Sequence, residues 1–251
     1  MSTVGFEHAL QAIEHVEGWL SEDQARRLFE RAAAVRPGGT IVEIGSFQGR
    51  STIVLALGAP PGTVVVAIDP HAGGDRGPQE IAADAARGDA DHAAFTANLR
   101  AAGVGDRVRH VRLPSARALG SVAAPIDLLY VDGAHRLGPA LDDITRYGAL
   151  IAPGGTMLIH DAFSSIGVTL AIGVRLLGSA RFSYAGRSRS LAEYRRAPGR
   201  LPAAERAAGA ANQLAQLPWF ARNISIQLAI AAGRPNLARA LGHRPGDRWP
   251  Y

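Results

Sequence analysis

The sequence predicts an α/β fold built on a doubly wound, mainly parallel sheet. Short β-branched apolar runs alternate with helical patterns between residues 41 and 177, the order of successive β-α-β units. These runs end in glycine, acidic or other polar residues, and open parallel sheets bind ligands at the C-terminal ends of their strands. Two further β-like runs face each other across Gly186-Arg187-Ser188-Arg189 and predict an antiparallel hairpin that completes seven strands.

In chain order, residues 4–16 and 21–35 read as helices. Ser21 is a good N-cap, Gln24 completes a capping box, and Trp19-Leu20 precede them as a staple. Pro37-Gly38-Gly39 then leads into strand 41–44, a glycine-controlled turn, and a helix over 51–57. Strand 63–69 is a continuous apolar run closed by Asp69. Residues 72–90 carry no periodicity and predict a binding loop, opened by His71. Helix 92–102, strand 108–113, strand 126–132, helix 138–150, strand 156–161 and helix 166–177 follow. Pro153-Gly154-Gly155 reads as the turn before the fifth strand, and the hairpin strands are 180–185 and 190–195. Helices over 203–216, 219–232 and 235–241 end the chain. The division expected is 1–37 as covering helices, 38–197 as the ligand-binding core and 198–251 as a basic helical appendage.

With 251 residues, 47% of them apolar, the chain can bury one large core. It has no cysteine, which excludes disulfides, thiolate metal sites and a cysteine nucleophile. No leader pattern and no membrane-length apolar run is evident, so a cytoplasmic protein with no membrane partner is expected. All 27 basic residues are arginine, the usage of a GC-rich, actinobacterial type of genome. Charge is divided: −5 over residues 1–171 and +10 over 172–251.

The central stretch is Glu43-Ile44-Gly45-Ser46-Phe47-Gln48-Gly49-Arg50-Ser51. The G-x-G-x-x-G of a dinucleotide site fails, because Phe47 and Arg50 stand where glycines are required. Its E-x-G-x-x-x-G spacing resembles the first motif of class I S-adenosylmethionine (SAM) methyltransferases. The phrase Phe95-x-x-Asn98-Leu99-x-x-x-Gly103-Val104-x-Asp106-Arg107-Val108 resembles small-molecule O-methyltransferases, and the resemblance covers residues 38–196. It implies a Rossmann-like methyltransferase fold, SAM as cofactor, and a cofactor site of Glu43, Gly45, Ser46, Gly49, Ser51, Asp69, Ser115 and Asp132. Asp69, at a strand tip 24 residues after Gly45, is placed to accept ribose hydroxyls. An ordinary turn-forming Asp before Pro70 is the other reading. Ser115 matches the position that faces the adenine, and it can also cap a helix.

Asp132-Gly133-Ala134-His135 and His160-Asp161 stand at the ends of the fourth and fifth strands. They resemble metal-dependent sugar and catechol O-methyltransferases and a cephalosporin-hydroxylase-like branch. By that resemblance Asp132, His160 and Asp161 would hold Mg²⁺, and His135 would be the base. The first member of the pair is an imidazole where a carboxylate is usual, and Mg²⁺ prefers oxygen. A metal-free route, with His135 or His160 as base and an aspartate orienting it, therefore stays open. The expected reaction is methylation of a hydroxyl on a small molecule, a sugar or glycosylated metabolite, by a homodimer. Against a nucleic-acid acceptor stand the absence of an RNA-binding module and of an N-P-P-Y-type loop. A protein that holds SAM without turnover is the third reading.

Overall fold

The computed structural model describes residues 5–74 and 81–244. In chain order these form α1 (Phe6–Ala12), α2 (Glu22–Ala33), β1 (Thr40–Ile44), α3 (Arg50–Gly58), β2 (Val64–Ile68), α4 (Ala85–Ala101) and β3 (Val108–Val111). Then come α5 (Ser115–Ala118), β4 (Ile126–Val131), α6 (Leu137–Leu150), β5 (Ile151–Ile159) and α7 (Ile166–Arg175). The chain continues through β6 (Phe182–Ser188), β7 (Leu191–Arg196), α8 (Ala203–Leu214), α9 (Leu217–Ala231) and α10 (Pro235–Ala240).

The seven strands lie in the order β3-β2-β1-β4-β5-β7-β6. The first five are parallel, and β7 runs antiparallel to both β5 and β6. Alternate residues of each buried strand serve opposite faces. Val42, Ile44, Val66, Ile68, Leu129 and Val131 join one core with α6 and α7. Ile41, Val65, Ala67, Leu128, Tyr130 and Leu158 join the other with α2 and α3. The capping box forms as expected, with Ser21 accepting from the Gln24 N–H and Gln24 accepting from the Ser21 N–H. Of the two staple residues, Leu20 packs on the core while Trp19 turns to Phe47, 5.7 Å between ring centroids.

Register does the positioning. Val111, Ile68, Ile44, Val131 and Ile159 are paired across five strands. The bonding continues one residue further: Asp69 N–H donates to Val111 O, Gly45 to Ile68 O, Asp132 to Ile44 O and His160 to Val131 O. Asp69, Gly45, Asp132 and His160 thus form a row on one edge. Gly45 has φ +87°, and a Cβ there would lie 2.0 Å from the Asp132 carbonyl oxygen. Only glycine lets β1 leave the sheet beside β4.

Several boundaries differ from expectation. α4 begins at Ala85 rather than 92, because the Asp84 side chain accepts from the Arg87 N–H and caps an earlier turn. β5 begins at Ile151, the supposed Pro153-Gly154-Gly155 turn being a strand irregularity where pairing with β4 shifts register. The hairpin turns at Arg189, φ +49°, and Gly186 instead marks an irregularity between Tyr184 and Arg187. Trp219 and Phe220 pack against the core, and the Arg187 guanidinium lies 3.8 Å over the Trp219 ring. Val4, at the start of the expected first helix, part of the 72–90 loop and the terminal Trp249-Pro250-Tyr251 lie outside the described residues.

Glu43, in the middle of the sheet, is fully buried and accepts hydrogen bonds from the Ser51 and Thr52 hydroxyls. Burial pushes its carboxyl up to about 8; the two hydroxyls act against this, and Asp132 and Asp69 add to it. Unfolding lets it ionise near 4.5, so the wild type loses stability as pH rises from there to about 8. Glu43→Gln, neutral and of equal size, should raise the melting temperature at pH 8 by roughly 5–10 °C and leave it unchanged near pH 4.5. Melting curves at both pH values check this.

Candidate active site

A cavity of about 590 Å³ runs along the C-terminal edge of the sheet. Gly45, Ser46, Ser51, Asp69, Ser115, Asp132, His135, His160 and Asp161, all expected from sequence, line it. The strand order sets its polarity: Asp69 and Ser115 follow β2 and β3 at one end, and His160 and Asp161 follow β5 at the other.

Two expected cofactor residues do not reach it. Glu43 lies beneath the wall, its carboxyl occupied by Ser51 and Thr52. Gly49 caps α3 at φ +90°, and a Cβ there would crowd Phe95 at 3.3 Å, so its glycine serves packing against α4. Ser51 itself divides its role, since it reaches the cavity while its hydroxyl is given to Glu43.

Asp69 is a backbone clamp. One carboxylate oxygen accepts from the N–H groups of Ser46, at 3.0 Å, and Phe47, at 2.8 Å. The other accepts from the His71 N–H at 2.7 Å. These bonds fill both lone pairs of the first oxygen and one of the second, and they meet the turn-forming reading of Asp69. His71 is a buried latch at φ +46°, its Nε2 2.7 Å from the Phe47 carbonyl oxygen, which makes Nε2 the protonated nitrogen. It holds the loop and also lines the cavity.

At the other end four titratable groups meet. His135 Nε2 lies 2.8 Å from Asp161 Oδ2, and His160 Nδ1 lies 3.1 Å from Asp132 Oδ1 and 3.5 Å from Asp161 Oδ2. The Tyr130 hydroxyl donates to Asp132 at 2.7 Å, and burial keeps that phenol neutral. Burial opposes charge on both histidines, but Asp132 and Asp161 outweigh it and raise both, His160 well above the usual imidazole range. Burial likewise opposes ionisation of Asp161, and the two imidazoles overrule it, holding the carboxyl well below its usual range. His160, 4% exposed, thus sits beside two carboxylates that favour its charged form over burial.

The appendage helps to hold this end. Asp161 and Phe163 sit at φ +54° and +57°. α9 grips the same turn: Asn223 Nδ2 donates to the Phe163 carbonyl at 3.3 Å and Gln227 Nε2 to the Ser164 carbonyl at 3.1 Å. Ser164 Oγ donates in turn to Asp161 at 3.2 Å.

Among the described residues, the group whose ligand atoms lie within 4.8 Å of one another is Asp132, His135 and Asp161. The expected set had His160 in place of His135. His160 instead places Nδ1 3.1 Å from Asp132 and 3.5 Å from Asp161, between the two carboxylates.

Residues not anticipated also line the cavity: Trp19 and Leu20 from the α1–α2 connection, Phe47, Tyr130, Arg136 and Asp143. Asp143 left a trace in the sequence, an acid inside the buried helical stripe Ala140, Asp143, Ile144, Tyr147. Trp19 left none, because what it covers lies across the fold.

Residues 42–162 match the family described as a methyltransferase domain. Three solved structures show the same fold. The cofactor-bound Rv0187 from MTB is 22% identical, with 77% of this chain and 88% of that one covered at a TM-score of 0.54. The O-methyltransferase TomG from Streptomyces achromogenes, in complex with SAM, is 20% identical over 76% and 86%, at 0.53. The O-methyltransferase from Bacillus cereus, in complex with SAH, is 19% identical over 75% and 87%, at 0.50. Residues 42–162 are thus similar to a methyltransferase domain, and the chain shares its fold with these three solved structures.

Proposed function

We propose that the protein is a SAM-dependent O-methyltransferase acting on a hydroxyl of a small molecule, a saccharide or glycosylated metabolite. The observation that carries this reading is the His135–Asp161 pair at the β4–β5 end of the same cavity that Asp69 and Ser115 line. SAM, when bound, supplies a methyl group on a sulfonium that leaves as a neutral thioether. Asp69 and Ser115 hold the nucleoside end, with Gly45 and Ser46 between them and the reacting end.

The protein's part in the chemistry is to position the acceptor and take its proton. His160 is held protonated by two carboxylates and is a poor base. His135 Nε2 lies 2.8 Å from Asp161 Oδ2, so Nδ1 is the ring nitrogen turned away from that carboxylate. Nδ1 therefore receives the acceptor proton, and Asp161 orients the ring and stabilises the imidazolium that forms. His160 balances Asp132 and Asp161 so that two carboxylates can stay ionised side by side. The aromatic wall of Trp19 and Phe47 beside this polar end supports a sugar, whose ring has apolar C–H faces and hydroxyl edges.

A divalent ion fits Mg²⁺ chemistry poorly here. One of the three grouped donors is an imidazole nitrogen, Mg²⁺ prefers oxygen, and the His160 imidazolium already neutralises the carboxylates. The metal-free route is the one we propose. Arginines of the basic C-terminal third are engaged within the chain, Arg187 on Trp219, Arg195 on Glu193, Arg196 on the Ile151 carbonyl and Arg206 on the Gly178 carbonyl. That weighs against a nucleic-acid acceptor. The exposed stripe Ile166, Leu170, Val174 on α7 supports the homodimer reading. No helix among the described residues is long and apolar enough to cross a membrane. The proposed division is a covering segment over 1–37, the methyltransferase core over 38–197, and an appendage over 198–251 that braces the Asp161 turn.

SAM at 100 times its dissociation constant should stabilise the fold by about 2.7 kcal/mol, seen as a raised melting temperature. Asp69→Ala should abolish that shift; a shift of wild-type size would remove Asp69 from the cofactor site. His135→Ala should lower kcat by about 10²–10⁴-fold while calorimetry finds SAM affinity little changed; retained turnover would exclude His135 as base. EDTA should leave the rate with a sugar acceptor unchanged, and a rate that collapses and returns with Mg²⁺ would overturn the metal-free route.

A further inference from the structure

Outside the cavity, β7 carries a buried acid that the chemistry above does not use. Glu193 is 3% exposed, and three guanidiniums converge on its carboxyl. Arg27 of α2 donates from Nη1 to Oε2 at 2.6 Å. Arg31, one turn further along α2, places Nε 3.6 Å from the same oxygen. Arg195 donates from Nε to Oε1 at 2.7 Å. One carboxyl carries at most one negative charge, so the cluster keeps a surplus of two positive charges. Neighbouring arginines are matched: Arg26 meets Glu7 and Glu22, and Arg189 meets Asp23.

Arg31 Nε is buried and has no hydrogen-bond partner, since 3.6 Å is too long for one. An occluded donor left in that state is costly. A guanidinium has five N–H donors. Among the described residues, side-chain hydrogen bonds use two of them on Arg27, to Glu193 and Ser188, one on Arg195 and none on Arg31. The three side chains are 22%, 29% and 34% exposed, so donors not turned to Glu193 can be reached from solvent. None of the four side chains lines the cavity.

We infer that Arg27, Arg31 and Arg195 form a binding site for a phosphoryl group, separate from the cavity and templated by Glu193. The charge selects the ligand class. A phosphate monoester carries about −1.5 to −2 at neutral pH and answers the whole surplus, whereas a monocarboxylate answers half of it. The shape agrees, because guanidinium forks pair with adjacent oxygens of a tetrahedral anion. Arg31 and Arg195 have the most donors to give, and Arg27 is the most firmly held, by Glu193 and by Ser188 Oγ at 2.8 Å. Glu193 sets the spacing of the three from below and takes no part in the contact.

The test is titration calorimetry of the whole protein with inorganic phosphate, with sodium chloride holding the ionic strength constant. Wild type should bind phosphate saturably and acetate at least about 10-fold more weakly. Arg31→Gln should weaken phosphate by about 10-fold or more, and it breaks no side-chain hydrogen bond among the described residues. Arg195→Gln should weaken it similarly and gives a second, independent reading. Glycerol 1-phosphate distinguishes the source: affinity equal to that of phosphate assigns a phosphorylated metabolite, and weaker affinity assigns the free ion. Absence of saturable phosphate binding to wild type, acetate binding as tightly as phosphate, or phosphate affinity unchanged in both variants would overturn the assignment.

Discussion

The site depends on hydrogen-bond registration across five parallel strands. Because Val111, Ile68, Ile44, Val131 and Ile159 are paired in one line, the residues that follow them emerge side by side. A slip of one position in β4 would send Asp132 into the apolar layer that Val131 now fills and carry Tyr130 to the opposite face of the sheet. The same line explains why Gly45 admits no side chain: its strand departs where the Asp132 carbonyl stands. Register, rather than loop shape, converts five separate strand ends into one polar edge.

That edge brings acids closer than they would remain in water without help. Glu43 answers by keeping its proton, Asp69 by taking three backbone N–H groups, and Asp132 and Asp161 by sharing two imidazoles. Three solutions to the same electrostatic problem give three kinds of arrangement: a neutral filler, a loop clamp and a cluster of acids and imidazoles. The differences follow depth. Glu43 lies furthest from solvent and has only hydroxyls beside it, so neutralisation costs least.

How much was legible in the sequence varied with how local the cause was. Strand tips are local, and Asp69, Ser115, Asp132, His135, His160 and Asp161 all reach the cavity they predicted. The mainly parallel sheet and its antiparallel finish followed from alternation and the hairpin pattern. What a residue does there was less legible. Glu43 and Gly49 carry motif spacing but serve packing, because motif spacing does not distinguish a wall from the layer behind it. His160 was read as a ligand, yet it lies outside the group Asp132, His135 and Asp161 whose donor atoms converge. Trp19 and the α9 residues Asn223 and Gln227 act on the site across the whole fold, and no short-range pattern encodes such contacts. The early start of α4 was encoded at Asp84 and masked by the glycines around it.

The covering segment has a root. Arg50, the first residue of α3, reaches back and donates to the carbonyls of Ile13 at 2.7 Å and Val16. Its aliphatic stem passes 3.1 Å from where a Cβ on Gly18 would stand. The glycine is thus bare to let the arginine through, and the arginine is present to close the end of α1. A side chain at 18 would press on the arginine's stem, so enlarging that residue loosens the closure of α1.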